Sequence, residues 1–185
     1  MRVKRGVALL AIVAALGLPV VLQAALTPGV QTAGAQTAAK ATDKKERDGK
    51  WELPDGTPTF NIGADGTVDW YTYSGFRRYH AECHVCHGPD GEGSTYAPGL
   101  VESLKTMSYP DFMLVVASGR QNVGAGKESV MPALGDNPNV MCYIDDIYVY
   151  LKARAEGGLP RGRPAKRADK PAAATQHEKA CFGHK

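Results

Sequence analysis

The feature that most constrains this chain is the stretch CHVCH at residues 83–87, where two cysteines three positions apart are followed directly by a histidine. In a Cys-x-x-Cys-His pattern the two thiols can add across the two vinyl groups on one edge of a porphyrin. The adjacent histidine, projected from the same turn, can then bind the iron. The spacing therefore indicates covalent attachment of one haem c through Cys83 and Cys86, with His87 as the proximal iron ligand.

Two other uses of these cysteines compete with haem attachment. A structural zinc ion needs two further ligands, usually a second closely spaced pair. Cys142 and Cys181 are far apart in the sequence, and His80 could supply only one ligand. A thioredoxin-like redox pair normally lies between a strand and a helix in a βαβ pattern, which this part of the sequence lacks. Haem is therefore the preferred interpretation.

The N-terminus has the pattern of a secretory signal peptide. Arg2, Lys4 and Arg5 precede an uncharged apolar run over 6–22, and a small-residue site follows at 33–35. An uncleaved membrane anchor is the rival interpretation, although the apolar run is at the short end for a span. We expect cleavage, a periplasmic mature protein without stable membrane insertion, and an oxidising environment for the cysteines.

Composition and periodicity divide the chain into four parts. Residues 1–35 are the predicted signal peptide, and 36–67 are a flexible linker up to residue 50 followed by an N-terminal strap that is irregular or a weak hairpin. Residues 68–156 form the predicted domain. Residues 157–185 form a basic tail whose composition would indicate disorder but for its cysteine, through which a disulfide could tie it down.

Three helical patterns lie within the predicted domain. The first runs from Val68 to Cys83, the second starts at Ser108 and the third at Asn137. The glycine- and proline-containing stretch 120–138 is predicted to be a long loop. Because loops of this length in a compact domain usually have a functional role, we expect an all-α fold that wraps a large bound group.

The sixth iron ligand decides what a haem does, since a methionine opposite histidine raises the reduction potential and favours electron transfer. Met131 lies in the loop SVMPALG, where a side chain can be aimed at a ligand. Met113 and Met141 lie in helical runs and are better explained as core residues, and Met107 follows the motif closely. We therefore predict Met131 as the distal ligand. An open sixth position would instead give a haem enzyme or a gas-binding protein.

The chain resembles the class I c-type cytochromes over roughly residues 68–153. The resemblance rests on four matches: Gly75, Tyr79 and Cys83 in the entry helix, Tyr150-Leu151 in the last helix, Ala97-Pro98 after the motif, and Met131-Pro132 in the distal loop. It implies the class I cytochrome c fold, a few helices around one haem with an exposed edge. It also implies that the carbonyl of Pro98 accepts a hydrogen bond from His87.

A narrower likeness is carried by YHAECHVCHGPDGEGSTYAP, NVMCYIDDIYVYLKAR and RGRPAK. These segments are similar to the four-cysteine, cytochrome c-L-like proteins of methylotrophic bacteria. That resemblance implies a single-electron carrier rather than an enzyme. It implies a pyrroloquinoline-quinone (PQQ) methanol dehydrogenase, especially the lanthanide type, as the electron donor. Another cytochrome c or a terminal oxidase would be the acceptor.

The other two cysteines, Cys142 and Cys181, favour a disulfide in an oxidising compartment. Two independent thiols, with Cys142 buried as a small apolar residue, are the alternative.

The charge of the chain is unevenly distributed. Residues 51–151 hold five basic and thirteen acidic residues, a net charge of −8, whereas 152–185 hold nine basic and three acidic residues. An acidic body argues against nucleic acid as a partner. It suits either transient, charge-guided docking or simple solubility.

Overall fold

A computed structural model describes residues 43–124 and 127–183, so the predicted signal peptide at 1–35 lies outside the described residues. The described chain is mainly helical, with α1 Trp70–Glu82, α2 His84–His87, α3 Leu100–Ser103, α4 Tyr109–Ser118, α5 Pro138–Met141, α6 Ile144–Ala155 and α7 Ala172–Cys181. Among these residues, no helix combines the length and apolar character needed to cross a membrane.

Two small antiparallel sheets accompany the helices. The first has the order β1-β2-β3, with β1 Lys45–Arg47, β2 Lys50–Glu52 and β3 Pro58–Thr59, and the second pairs β4 Arg120–Gly124 with β5 Lys127–Met131. Sequence analysis predicted a flexible linker up to residue 50 and a long loop over 120–138, and the structure differs in both places. These strands depend on backbone pairing between segments rather than on a local apolar pattern.

Helix α1 begins after a capping aspartate. Asp69 is the N-cap: its Oδ1 atom accepts a hydrogen bond from the Thr72 N–H at 2.8 Å, and its Oδ2 atom accepts one from the Thr72 hydroxyl at 2.6 Å. This cap satisfies one of the backbone donors left free at a helix N-terminus.

The core forms where α1 crosses α6. A Cβ atom added to Gly75 would lie 1.8 Å from the carbonyl oxygen of Asp146 and 2.8 Å from the Cβ atom of Tyr150. Only glycine permits this approach of the two backbones. Tyr79 and Tyr150 are both fully buried, with ring centroids 5.5 Å apart. The crossing therefore fixes the end of α1 that leads into CHVCH.

Helix α4 is capped by Ser108, whose Oγ atom accepts from the Asp111 N–H at 3.2 Å. Its C-terminal end holds the segment after β5, because the N–H groups of Leu134 and Gly135 donate to the carbonyls of Val116 and Ala117, both at 3.0 Å. The same helix end thus anchors the chain that follows Met131.

The basic tail is integrated into the fold. Val68 pairs with it through two backbone hydrogen bonds, to the Lys166 carbonyl at 3.2 Å and from the Ala168 N–H at 2.8 Å. Helix α7 follows, and a disulfide joins Cys181 to Cys142. Local composition had indicated a disordered segment apart from its cysteine.

Candidate functional site

The CHVCH motif lies at the junction between α1 and α2. Cys83 ends α1, with its N–H donating to the Tyr79 carbonyl at 2.9 Å. The N–H groups of Cys86 and His87 both donate to the Cys83 carbonyl, at 3.2 and 3.0 Å. Cys83 is partly buried, Cys86 is exposed, and the two thiols are not bonded to each other. One helical turn therefore presents all three predicted haem-binding side chains.

His87 is buried and its ring is oriented by the backbone. Its Nδ1 atom lies 2.9 Å from the carbonyl oxygen of Pro98. Because a carbonyl can only accept, Nδ1 carries the proton in this contact, and Nε2 keeps a lone pair for a metal. A hydrogen bond of this kind fixes ring orientation and raises the basicity of a ligating imidazole.

The loop after His87 is closed on itself. The Gly93 N–H donates to the His87 carbonyl at 2.7 Å, and the Tyr79 hydroxyl donates to the Gly88 carbonyl at 2.6 Å. Gly88 has a φ of +73°, and an added Cβ would lie 2.1 Å from the Gly93 carbonyl oxygen. Burial, the largest cause, raises the pKa of Tyr79, so its hydroxyl remains a donor at neutral pH.

A second contact ties the next loop to the motif. The Ser94 hydroxyl donates to the Cys86 carbonyl, and the Tyr96 N–H donates to Ser94 Oγ at 3.0 Å. Val85 and Tyr96 are among the most exposed large apolar side chains described, at 77% and 79%. Two exposed apolar side chains therefore lie in the segments next to Cys86.

Met131 belongs to a separate segment. It ends β5 opposite Arg120 and is partly buried against the core. A Cβ atom on Gly119 would lie 2.6 Å from the Met131 carbonyl oxygen, so the two backbones are in close contact. The structure thus brings Cys83, Cys86, His87 and Pro98 together, while Met131 is held from the end of α4. Met131 is one of four partly buried methionines that, among the described residues, pack against the core: Met107, Met113, Met131 and Met141.

The donor set fits a covalent haem. Two free thiols three residues apart and an adjacent imidazole with Nε2 available are the groups that haem c attachment requires. Over 43–124 and 127–183, no group of three or more His, Cys, Asp or Glu side chains is arranged to hold a metal ion. Nothing in the described chain therefore favours the zinc alternative.

Sequence reasoning missed the polar residues behind the motif. Asp90 is buried, and its Oδ1 atom accepts from the Gly162 N–H at 3.1 Å. Arg154, also buried, donates through Nε to the Asp90 carbonyl at 3.3 Å and through Nη2 to Glu92. An aspartate and an arginine 64 positions apart carry no periodic signal that could have paired them.

Comparison with known proteins identifies the family. No model of a known protein family matches the chain. The chain is 58% identical to cytochrome c-553I of Paracoccus denitrificans over an alignment of 134 residues. The alignment covers 72% of this chain and 59% of that relative. The chain is 41% identical over 100 residues to cytochrome c-555 of Methylococcus capsulatus, covering 54% of this chain and 75% of the relative.

A solved structure agrees with these relatives. The crystal structure of the c-type cytochrome XoxG from Methylobacterium extorquens AM1 matches with a TM-score of 0.73 and 57% identity, over 80% of this chain and 90% of that one. The chain is a class I c-type cytochrome. The predicted family, all-α class I fold and covalent haem c are confirmed for this cytochrome.

Two further points follow from the relatives. They are named as cytochromes of the c type, which act as electron carriers rather than enzymes, in agreement with the sequence prediction. This cytochrome spans less than two thirds of the length of cytochrome c-553I. Its own activity and partners are therefore a matter for proposal.

Proposed function

We propose that this cytochrome is a periplasmic, monohaem, single-electron carrier that accepts electrons from a PQQ-dependent methanol dehydrogenase. It passes them towards a terminal oxidase, directly or through another cytochrome c. The observation that carries the proposal is the likeness to XoxG over 90% of that chain at 57% identity. The methanol partner comes from the resemblance to the four-cysteine cytochromes of methylotrophic bacteria.

In this proposal Cys83 and Cys86 would hold the haem by thioether bonds, and its iron would be bound by His87 as the proximal ligand and Met131 as the distal ligand. When bound, the haem supplies the one-electron chemistry. The Pro98 carbonyl, 2.9 Å from His87 Nδ1, orients the proximal ring. The contact between Gly119 and the Met131 backbone supports the distal role, because it anchors the ligand segment to α4.

The surface beside the motif supports a weak, short-lived encounter. Val85 and Tyr96 offer a small apolar contact next to Cys86, where the porphyrin edge would be attached. Charge outside this contact would guide the approach, since residues 51–151 carry a net charge of −8.

The basic tail is a poor candidate for a free docking arm. Arg167 lies 5.1 Å from the ring centroids of both Trp70 and Tyr73, and Lys170 lies 5.6 Å from that of Trp70. These cations are already paired with aromatic faces of their own chain. The acidic body is therefore the surface we expect to steer docking.

The test mixes the purified ferric protein with a PQQ methanol dehydrogenase and methanol while the haem absorption bands are recorded. Rapid methanol-dependent reduction that slows with increasing salt is expected, because screening weakens charge-guided association. Controls omit methanol or the dehydrogenase. No reduction, in a protein that dithionite still reduces, would reject the methanol dehydrogenase as donor while leaving a c-type cytochrome.

A further inference from the structure

Asp90 is a buried carboxylate that haem attachment does not use. It lies three residues after His87, inside the loop closed by the hydrogen bond from the Gly93 N–H to the His87 carbonyl. Only 5% of Asp90 is exposed, and its φ is +59°. Aspartate is one of the few residues that adopt this left-handed conformation at low cost. Haem attachment accounts for neither the burial nor the backbone conformation of Asp90.

The carboxylate is held by the C-terminal tail. The Gly162 N–H donates to Oδ1 at 3.1 Å, and Arg161 Nε donates to Oδ2 at 3.4 Å. These two residues come from a segment more than 70 positions further along the chain. Through these two hydrogen bonds, Asp90 connects the C-terminal tail to the loop that follows the haem motif.

Helix residues complete the shell around Asp90. The Tyr150 hydroxyl donates to Oδ1 at 3.4 Å, and His80 Nε2 lies 3.5 Å from the same oxygen. Burial by itself would raise the pKa of Asp90. The Gly162 hydrogen bond, Arg161 and the nearby His80 and Arg154 outweigh it and keep the pKa below the usual value. The carboxylate is therefore ionised at neutral pH.

Arg154 holds the same loop from its other side. It donates to the Asp90 carbonyl at 3.3 Å and to the Leu159 carbonyl at 2.6 Å, and it pairs with Glu92. Its bonds go to the loop backbone and to neighbouring groups, so it does not displace Arg161 and Gly162 from the carboxylate. Arg154 therefore adds to the hold on the loop without taking the place of the two tail donors.

The negative charge is close to the predicted iron ligand. Three peptide units span at most about 11 Å between the Cα atoms of His87 and Asp90. A fixed negative charge stabilises ferric over ferrous iron, and burial reduces its screening by salt. Charge and hydrogen bonding near a haem are among the means by which a protein sets its potential.

We propose that Asp90, clamped by Arg161 and Gly162 of the tail, is a positioning residue that holds the proximal loop and lowers the reduction potential of the haem. The proposal rests on the proposed role of His87 as the proximal ligand. It gives the C-terminal tail a function in tuning the haem rather than in docking.

The test compares the reduction potentials of two holoprotein variants with wild type, at constant pH and with chemical mediators. Asp90→Asn removes the negative charge with little change in shape or backbone preference, and a shift to more positive potential is expected. Arg161→Ala removes the compensating cation, and a shift to more negative potential is expected. Arg161 has a side chain 65% exposed, so this variant should fold even if Asp90→Asn does not.

Matched controls come from a second pair that joins an aspartate to a basic tail residue. Asp65 and Lys166, 3.4 Å apart, are both exposed and are not in the haem-motif loop. Asp65→Asn and Lys166→Ala should leave the potential unchanged. A second readout is amide hydrogen exchange, which should be faster at Gly162 in Asp90→Asn because a charge-assisted hydrogen bond becomes a neutral one.

Opposite shifts in the two Asp90-pair variants would support the proposal. Shifts of both variants in the same direction would indicate loosening of the loop alone and would overturn it, as would no shift in either. Because the titration uses no dehydrogenase, a failed methanol assignment leaves this result interpretable.

Discussion

Gly75 of α1 lies so close to Asp146 of α6 that an added Cβ atom would be 1.8 Å from the Asp146 carbonyl oxygen. The obstacle is backbone rather than a flexible side chain, so one of the two helices would have to move. The same crossing fixes the C-terminal end of α1, from which Cys83 and His87 follow. Haem attachment and core packing therefore depend on one glycine.

Gly75→Ala is expected to destabilise the holoprotein by roughly 3 kcal/mol or more, the upper range for overpacking a well-packed core. Urea unfolding followed by far-UV circular dichroism measures the change. Gly56→Ala is the control: an added Cβ there meets nothing within 4 Å, and a φ of +80° should cost only about 1–2 kcal/mol. Equal losses in both variants would contradict the packing argument.

Met131→Ala is expected to lower the reduction potential and to allow the ferrous haem to bind carbon monoxide, because the sixth position opens. Visible spectroscopy with and without carbon monoxide measures this. Met107→Ala is the matched control, since Met107 is also a partly buried methionine packed against the core. A wild-type protein that already binds carbon monoxide would instead favour a haem enzyme or gas-binding protein.

Reduction of the bond between Cys142 and Cys181 is expected to lower the free energy of unfolding. The bond closes a sequence separation of 39 residues. The chain-entropy model assigns such a loop roughly 3–4 kcal/mol. Urea unfolding with and without dithiothreitol measures the loss, with ascorbate holding the haem iron in the ferrous state in both samples because dithiothreitol also reduces the iron. The thioether bonds to haem do not react. Cys181→Ser should be equally destabilised and insensitive to the reductant; a reductant-sensitive variant would show that another group is responsible.

Asp146 is expected to make stability fall as pH rises from about 4 to about 7. Burial, opposed by a Ser74 hydrogen bond and by Lys50, raises the pKa of Asp146 from 3.8 to about 7. In that window the folded state holds a proton that the unfolded state has lost. Stability therefore decreases with pH until the folded group also ionises.

Asp146→Asn removes this titration. The variant should match wild type near pH 3, exceed it by about 2 kcal/mol at pH 5 and by up to ~4 kcal/mol at pH 8, as an order of magnitude. Urea unfolding at these pH values measures the difference, with the exposed Asp136→Asn as the control. A stability difference that does not change with pH would contradict the assignment.

Local sequence signals predicted the parts of the fold that depend on neighbouring residues. The cap residues Ser108 and Asn137 mark helix starts in the structure as expected, because capping is a contact between residues two or three positions apart. The first helix, expected over Val68 to Cys83, is observed at Trp70–Glu82. The spacing of CHVCH likewise indicated the haem, since attachment requires only one helical turn.

Three elements without a clear local apolar period could not be predicted in the same way. Strands β4 and β5 fall in the stretch predicted as a loop and pair with each other as a hairpin, and α7 falls in a tail whose composition by itself indicated disorder. The hairpin lacks the alternation of apolar and polar residues that is typical of a strand, and α7 is joined to the rest of the fold by the disulfide to Cys142.

By itself, the sequence determined the haem motif and the entry helix, because each is a matter of residue type and local spacing. Only the tertiary structure decided how the tail is used. It pairs Gly162 and Arg161 with Asp90 and joins Cys181 to Cys142. The physical reason is that a buried carboxylate must find hydrogen-bond donors wherever the folded chain supplies them, and here they come from the C-terminal tail.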